Sequence, residues 1–188
     1  MFKPPAPPFV AARWHGGAQT PRRIVMHSTV SPCVPGGEKN IAHFFATEST
    51  PTSAHYCVSP SGVVQMVGDH TVAYHCGYNQ DSIGIELCDM PDANNIERWK
   101  DANHQAMLEH AVDLVARLCL AYSIRPWFVG VVGLKLGRGG VTTHANMSDA
   151  FKQSTHWDPG AWPRKTFMKA VRARMKEIQA GERKKAKK

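Results

Sequence analysis

The 188-residue chain has no apolar run of the roughly 18 residues that a membrane-spanning helix needs. Its first residues lack the charged and apolar regions of a secretory signal. Membrane insertion and signal-directed export are therefore not expected. Cysteine is sparse: Cys33, Cys57, Cys76, Cys88 and Cys119 are odd in number and scattered, which argues against a disulfide scaffold. Reduced thiols are expected, with Cys57, Cys88 and Cys119 acting as small hydrophobes in apolar runs. Cys76 stands beside His75, the one place where a reactive thiol pair could form. No HExxH, paired CxxC or GxxxxGK[ST] is present, and the glycines of FVGVVGLKLGRGGVTTH do not fit a dinucleotide fingerprint. No internal repeat is evident.

Acidic residues are also in the minority, 15 against 23 Lys and Arg, for a net charge of +8. Such a balance suits polyanionic surroundings: nucleic acid, anionic lipid or the acidic polymers of a bacterial wall. Much of the excess is local, because ERKKAKK closes the chain; residues 181–188 read as a basic, solvated tail. No RNP motif, zinc-finger spacing or basic recognition helix supports a nucleic-acid partner. The HxE…PCxxC signature of nucleobase deaminases is absent as well.

What is present suffices for one domain. Residues 1–20, rich in Pro, Ala and Gly, read as an extended lead-in or linker, as at the start of a domain cut from a longer chain. The catalytic domain is expected over 21–180. Ile24 to Thr29 reads as the first buried strand, and Glu38 to Thr47 as a short helix with Ile41, Phe44 and Phe45 inward. AHYCVS and VVQMVGD flank Pro60-Ser61-Gly62 as a hairpin, and Ser82 to Cys88 is a further strand. Asn103 to Tyr122 is the clearest helix, with Met107, Leu108, Ala111, Leu114, Val115, Leu118, Cys119 and Tyr122 on one face. FVGVVGLKLGRGGVTTH reads as loop. Trp162 to Ala180 reads as a last helix, with Phe167, Val171, Met175 and Ile178 inward. Strands interleaved with helices predict an α/β (α+β) domain with a mixed central sheet flanked by helices.

The chemistry concentrates in TTHANMSDAFKQSTHWDPG, residues 142–160, which reads as a loop-like run. It carries His144, His156 and Asp158. Far upstream, RRIVMHST ends a strand on His27. A catalytic zinc takes three nitrogen or oxygen ligands and keeps one position open. His27, His144 and Asp158 are the candidate ligands of one Zn²⁺. Pro159 restricts the backbone that carries Asp158, and Pro-Gly predicts a sharp turn. Glu86 lies in an otherwise apolar strand, where a carboxylate is costly unless it has a partner, a task, or an edge position facing water.

Together IVMHST, SAHYCVSPSG, YHCGYNQDSIGIEL and TTH…HWDPG, in that order, make residues 22–165 resemble a known family. The family is the zinc-dependent N-acetylmuramoyl-L-alanine amidases of the type-2 amidase and peptidoglycan-recognition-protein fold. The nearest members are amidase domains of phage endolysins, mycobacteriophage lysins among them. The resemblance implies that His27, His144 and Asp158 hold zinc and that Glu86 assists the attacking water. It places His75 and Asn79 in the substrate cleft. Many members carry an oxyanion-stabilising lysine two positions before the aspartate, where this chain has His156. A histidine can take that role but titrates near neutral pH. The tyrosine of some phage members is also missing, with Ala54 before His55.

The implied reaction is hydrolysis of the amide between N-acetylmuramic acid and L-alanine in peptidoglycan, leading to wall lysis. The implied protein is a monomer, or part of a longer multidomain lysin. It is made in the host bacterial cytoplasm and reaches the wall by a holin-type route. A non-catalytic peptidoglycan-binding module on the same fold is the alternative.

Overall fold

The computed structural model describes residues 2–185. Among these residues, five strands form one mixed sheet in the order β3-β2-β4-β1-β5: β1 is Arg23–Ser28, β2 Tyr56–Ser59, β3 Gly62–Gln65, β4 Ser82–Leu87 and β5 Gly140–Thr143. β1 pairs in parallel with both β4 and β5, and β2 in parallel with β4. β3 runs antiparallel to β2 through the Pro60-Ser61 hairpin. The helices are α1 (Gly37–Thr47), α2 (Ala102–Tyr122), α3 (Val131–Lys135), α4 (His144–Phe151) and α5 (Arg164–Lys185). No helix among the described residues is long and apolar enough to cross a membrane.

β1 is buried at every position, as a central parallel strand covered on both faces should be. Alternation sends Ile24, Met26, Ile83, Ile85 and Leu87 into the main core, with Met107, Ala111, Leu114, Val115 and Leu118 of α2. Leu108 and Tyr122 are only partly buried. α5 packs on α2 through Phe167 and Val171, with Met175 and Ile178 at the margin. The opposite set from β1 and β4, Val25, His27, Gly84 and Glu86, faces the functional side of the sheet.

Three expectations change. The Gly-rich run read as loop contains α3 and the edge strand β5. GVTT lacks an apolar alternation, and its glycine marks a close backbone approach rather than a flexible connector. Gly140 has φ +149°, and a Cβ there would meet the Trp127 carbonyl oxygen at 2.6 Å. The 142–160 run is not one loop, because His144–Phe151 forms α4. α5 begins at Arg164 and continues to Lys185, so residues 181–185 of the basic tail are helical, while 186–188 lie outside the described residues.

The buried face of α1 also differs. Ala42 and Phe45 are buried, Ile41 partly so, and Phe44 is 46% exposed. The cause is Glu38, buried at the start of the helix, whose carboxylate accepts hydrogen bonds from Ser59 and Ser61. That anchor turns the 38-42-45 stripe inward and Phe44 out.

The Pro-rich start runs as extended chain along the β3 edge. Gln65 N–H donates to the Pro8 carbonyl, and Val10 and Ala12 N–H donate to Gln65 and Met66 carbonyls, all at 2.9 Å. Gln19 closes the segment: its carboxamide donates to Ser82 O at 2.9 Å and accepts from Ser82 N–H at 3.1 Å.

One buried ion pair holds the later loops. Arg98 donates to both oxygens of Asp89 at 3.0 Å, a bidentate contact, and Asp89 also accepts from Ser28 Oγ at 2.9 Å. The remaining guanidinium donors reach the carbonyls of Pro159 and Ala161, both at 2.9 Å. Trp99 Nε1–H joins them on Ala161 O at 2.6 Å. The turn that follows Asp158 is thus fastened to the segment after β4 and to the helical turn just before α2.

Two stability measurements follow. Phe45→Ala is expected to lower unfolding free energy by about 3–5 kcal/mol, and the exposed Phe44→Ala by about 0.5 kcal/mol or less. Urea denaturation reads both, and equal losses would contradict the assigned face. Arg98→Ala leaves the Asp89 carboxylate buried without its main partner, which is expected to cost about 3–5 kcal/mol. Arg98→Lys is expected to recover little, since an ammonium cannot span the carboxylate and two carbonyls.

Candidate active site

The site lies at the carboxyl ends of the parallel strands, where open α/β sheets place their ligands. Register explains why. His27 is paired with Glu86, and Glu86 with Cys57, across β1, β4 and β2. Met26 is paired with Thr143, so the next residue on each strand brings His27 level with His144. His144 is the first residue of α4, whose N-cap Thr143 accepts the Asn146 N–H at 3.3 Å.

Asp158 returns to this row from the loop after α4. Its backbone carbonyl accepts the Ala145 N–H at 3.1 Å, and its Oδ2 accepts the Ser28 N–H at 3.2 Å. His27 Nδ1 lies 3.1 Å from His144 Nδ1 and 3.4 Å from Asp158 Oδ2, and His144 Nδ1 lies 3.0 Å from Asp158 Oδ1. All three residues are buried. Ligand atoms on a tetrahedral zinc at ~2.0–2.2 Å stand roughly 3.3–3.6 Å apart, close to these separations. The two-imidazole, one-carboxylate set is also a zinc donor set, so the residues fit the ion.

Electrostatics agrees with the geometry. Burial would raise the Asp158 pKa, but hydrogen bonds and charge from His144 and His27 hold the carboxyl well below its usual range. Burial pushes the His27 imidazole down, leaving it a neutral donor for a metal. Glu86 is raised well above an ordinary glutamate, first by burial and then by the Asp158 charge. Glu86 Oε1 lies 4.0 Å from His27 Nδ1. β4 is the middle strand of the sheet, so the water-facing edge position is excluded for Glu86.

The other expected residues divide. His156 stands at the rim, with its side chain 71% exposed, its ring stacked on His144 at 4.9 Å and its Nδ1 3.9 Å from Asp158. His75 and Asn79 border the cleft, and both ring nitrogens of His75 and the side-chain oxygen of Asn79 are engaged inside the protein. His75 Nδ1 lies 3.0 Å from His27 Nε2, and its Nε2 lies 3.0 Å from Ser82 Oγ. The Asn79 side-chain oxygen accepts the backbone N–H of His75 and Cys76, both at 2.8 Å. Cys76 Sγ donates to Tyr78 O at 3.0 Å, and burial pushes its pKa up, so it is no reactive partner for His75.

The cleft beside the three candidate ligands, about 480 Å³, is lined by Thr52, Tyr74, His75, Gln153, Ser154 and His156 among others. A larger apolar groove of about 910 Å³ lies between α2 and the start of α5, and none of His27, Glu86 or His156 lines it. Sequence reasoning missed Ser154, whose Oγ lies 3.0 Å from His144 Nε2, and the Asp89–Arg98 clamp. For both, the only signal was a polar residue type near the motif, which does not reveal a partner.

Comparisons with known proteins point the same way. No curated protein sequence matches the chain significantly. Among solved structures, the Staphylococcus aureus hydrolase AmiA, in complex with its ligand, superposes with a TM-score of 0.71 at 16% identity, covering 95% of this chain and 87% of that one. The endolysin N-acetylmuramoyl-L-alanine amidase LysCS from Clostridium intestinale gives 0.59 at 16% identity, covering 92% and 99%. A mutant endolysin from Bacillus subtilis gives 0.57 at 20% identity, covering 89% and 94%. At such identities these likenesses speak to fold. The sequence itself matches the family model described as N-acetylmuramoyl-L-alanine amidase over residues 17–161, a span that contains every strand and every candidate ligand. The chain therefore belongs to the N-acetylmuramoyl-L-alanine amidase family.

Proposed function

We propose that this protein hydrolyses the amide bond between N-acetylmuramic acid and L-alanine in peptidoglycan, using one zinc ion held by His27, His144 and Asp158. The observation that carries the reading is the convergence of those three buried side chains beside a second carboxylate, Glu86. Bound there, zinc supplies Lewis-acid polarisation of the lactyl carbonyl and eases ionisation of the attacking water.

The chain's own residues do the rest. Glu86 takes the proton of the attacking water and returns it to the leaving L-alanine nitrogen. Burial and the neighbouring Asp158 charge raise its pKa above that of an ordinary glutamate, which favours its exchanging a proton with the substrate. His156, exposed at the rim beside Asp158, donates a hydrogen bond to the oxyanion of the tetrahedral intermediate. The polar cleft bordered by Thr52, Tyr74 and Gln153 receives the muramoyl-peptide. A binding module that does not cut would be expected where a ligand has been replaced, and here all three stand together.

We further propose that the protein is a phage endolysin or its catalytic domain. It acts as a monomer or within a longer lysin, and reaches the wall from the host cytoplasm by a holin-type route. The family membership and the likeness to endolysin folds support this.

Zinc-loaded protein is expected to clear suspensions of purified walls and release peptides with free L-alanine amines while the glycan stays intact. His27→Ala should lose both metal and activity. Glu86→Ala should keep zinc and lose about 10²–10⁴-fold in rate. His156→Ala should keep zinc and lose on the order of 100-fold. Metal analysis with a turbidity assay checks these outcomes. Full lysis by metal-free His27→Ala protein would reject the reading, and binding to walls without peptide release would make the chain a non-catalytic module.

A further inference from the structure

His75 is buried, yet both its ring nitrogens are engaged, and neither partner is solvent. Hydrogen-bond polarity along this row can be read from its far end. The Asn79 backbone carbonyl can only accept, so Ser82 Oγ, 2.8 Å away, donates its one proton there. Ser82 Oγ must then accept from His75 Nε2–H at 3.0 Å. That assignment leaves His75 Nδ1 without a proton, as an acceptor. His27 Nε2, 3.0 Å from it, must be the donor. A neutral His27 with its proton on Nε2 has a bare lone pair on Nδ1, the atom that faces His144 and Asp158.

We propose that His75 is a positioning residue that fixes the tautomer and ring direction of His27, through a one-way hydrogen-bond row running His27, His75, Ser82 and the Asn79 carbonyl. The strand is shaped to admit it. A Cβ on Gly84 would lie 2.6 Å from His75 Cγ and 2.8 Å from His75 Nδ1, so only glycine lets the ring lie against β4. Asn79 supports the same ring a second way, by capping the backbone N–H of His75. The glycine of SIGIE and the Asn79 side-chain oxygen therefore help to hold the ring that orients His27.

This inference rests on the proposed zinc site, and the test separates the two. Zinc affinity is measured by competition with a chromophoric chelator for the parent, His75→Ala, His75→Asn and Ser82→Ala. Steady-state kinetics are recorded on each zinc-saturated protein. His75→Ala is expected to bind zinc about 10–100-fold more weakly, as outer ligand partners generally do when removed. His75→Asn, whose side-chain oxygen can accept the His27 proton, should restore most of that loss. Ser82→Ala, which removes the far anchor, should weaken zinc binding in the same direction but less. Long-range ¹⁵N spectra of the zinc-loaded parent should show His75 as the Nε2–H tautomer. A His75→Ala protein with parental zinc affinity and a raised KM alone would make His75 a substrate contact and overturn the proposal. An Nδ1–H tautomer at His75 would overturn it too. Should His75→Ala fail to fold, His75→Asn, Ser82→Ala and the tautomer still decide. A parent that binds no zinc would instead remove the metal site itself, and this inference with it.

Discussion

A carboxylate buried between two imidazole nitrogens is the constraint on which this molecule turns. Asp158 is 8% exposed, and a second carboxyl, Glu86, lies on the same side of the sheet, one strand beyond His27. Negative charge in such surroundings is costly without a compensating cation or donor. Part of the compensation comes from the Ser28 amide and the two histidines. The remainder would be supplied by the divalent ion that His27, His144 and Asp158 are proposed to hold. Within the protein itself the two acids already differ: hydrogen bonds and charge from His144 and His27 hold Asp158 well below its usual range, while burial raises Glu86 well above its own.

Much of the architecture serves that convergence. Parallel pairing of β1 with β4 and β5 sets His27, Glu86 and His144 in one row without help from side-chain packing. Asp158 has no such register to rely on, since it comes from a loop. It is placed instead by the Ala145 amide at the start of α4 and by Arg98, which grips the carbonyls just after it. The ion pair of Arg98 with Asp89 thus links the segment after β4, the turn before α2 and the turn after Asp158. A rigid strand carries His27, the first turn of α4 carries His144, and a buried salt bridge steadies the turn after Asp158, which suits a site whose geometry must be kept.

What could be read before the fold was known follows from the kind of signal each residue carries. His27, Glu86 and the strands around them were legible because buried strands announce themselves by apolar runs, and a polar residue inside one stands out. His144 and Asp158 were legible through the His- and Asp-bearing run 142–160 and through their place in the ordered motif set, while the helix that carries His144 was not. β5 was hidden because a short glycine-led edge strand has the composition of a loop. The α1 face was misjudged at Phe44 because a buried glutamate, tied to two serines from the hairpin, outweighed aromatic periodicity. The Asp89–Arg98 clamp and the His75 row could not be foreseen, since each is a pairing between distant segments that leaves no local periodicity. The motif singled out His75 and Asn79 for the cleft, and both border it, with the His75 ring nitrogens and the Asn79 side-chain oxygen also bonded within the protein.

Where a metal sits is the most direct test of the convergence of His27, His144 and Asp158. Anomalous diffraction from crystals grown with zinc, collected on either side of the zinc edge, measures this without reference to activity. One strong peak per chain, about 2.0–2.2 Å from a nitrogen of His27, a nitrogen of His144 and a carboxylate oxygen of Asp158, is the expected result. A peak away from these residues, or none in protein that still cleaves peptidoglycan, would contradict it.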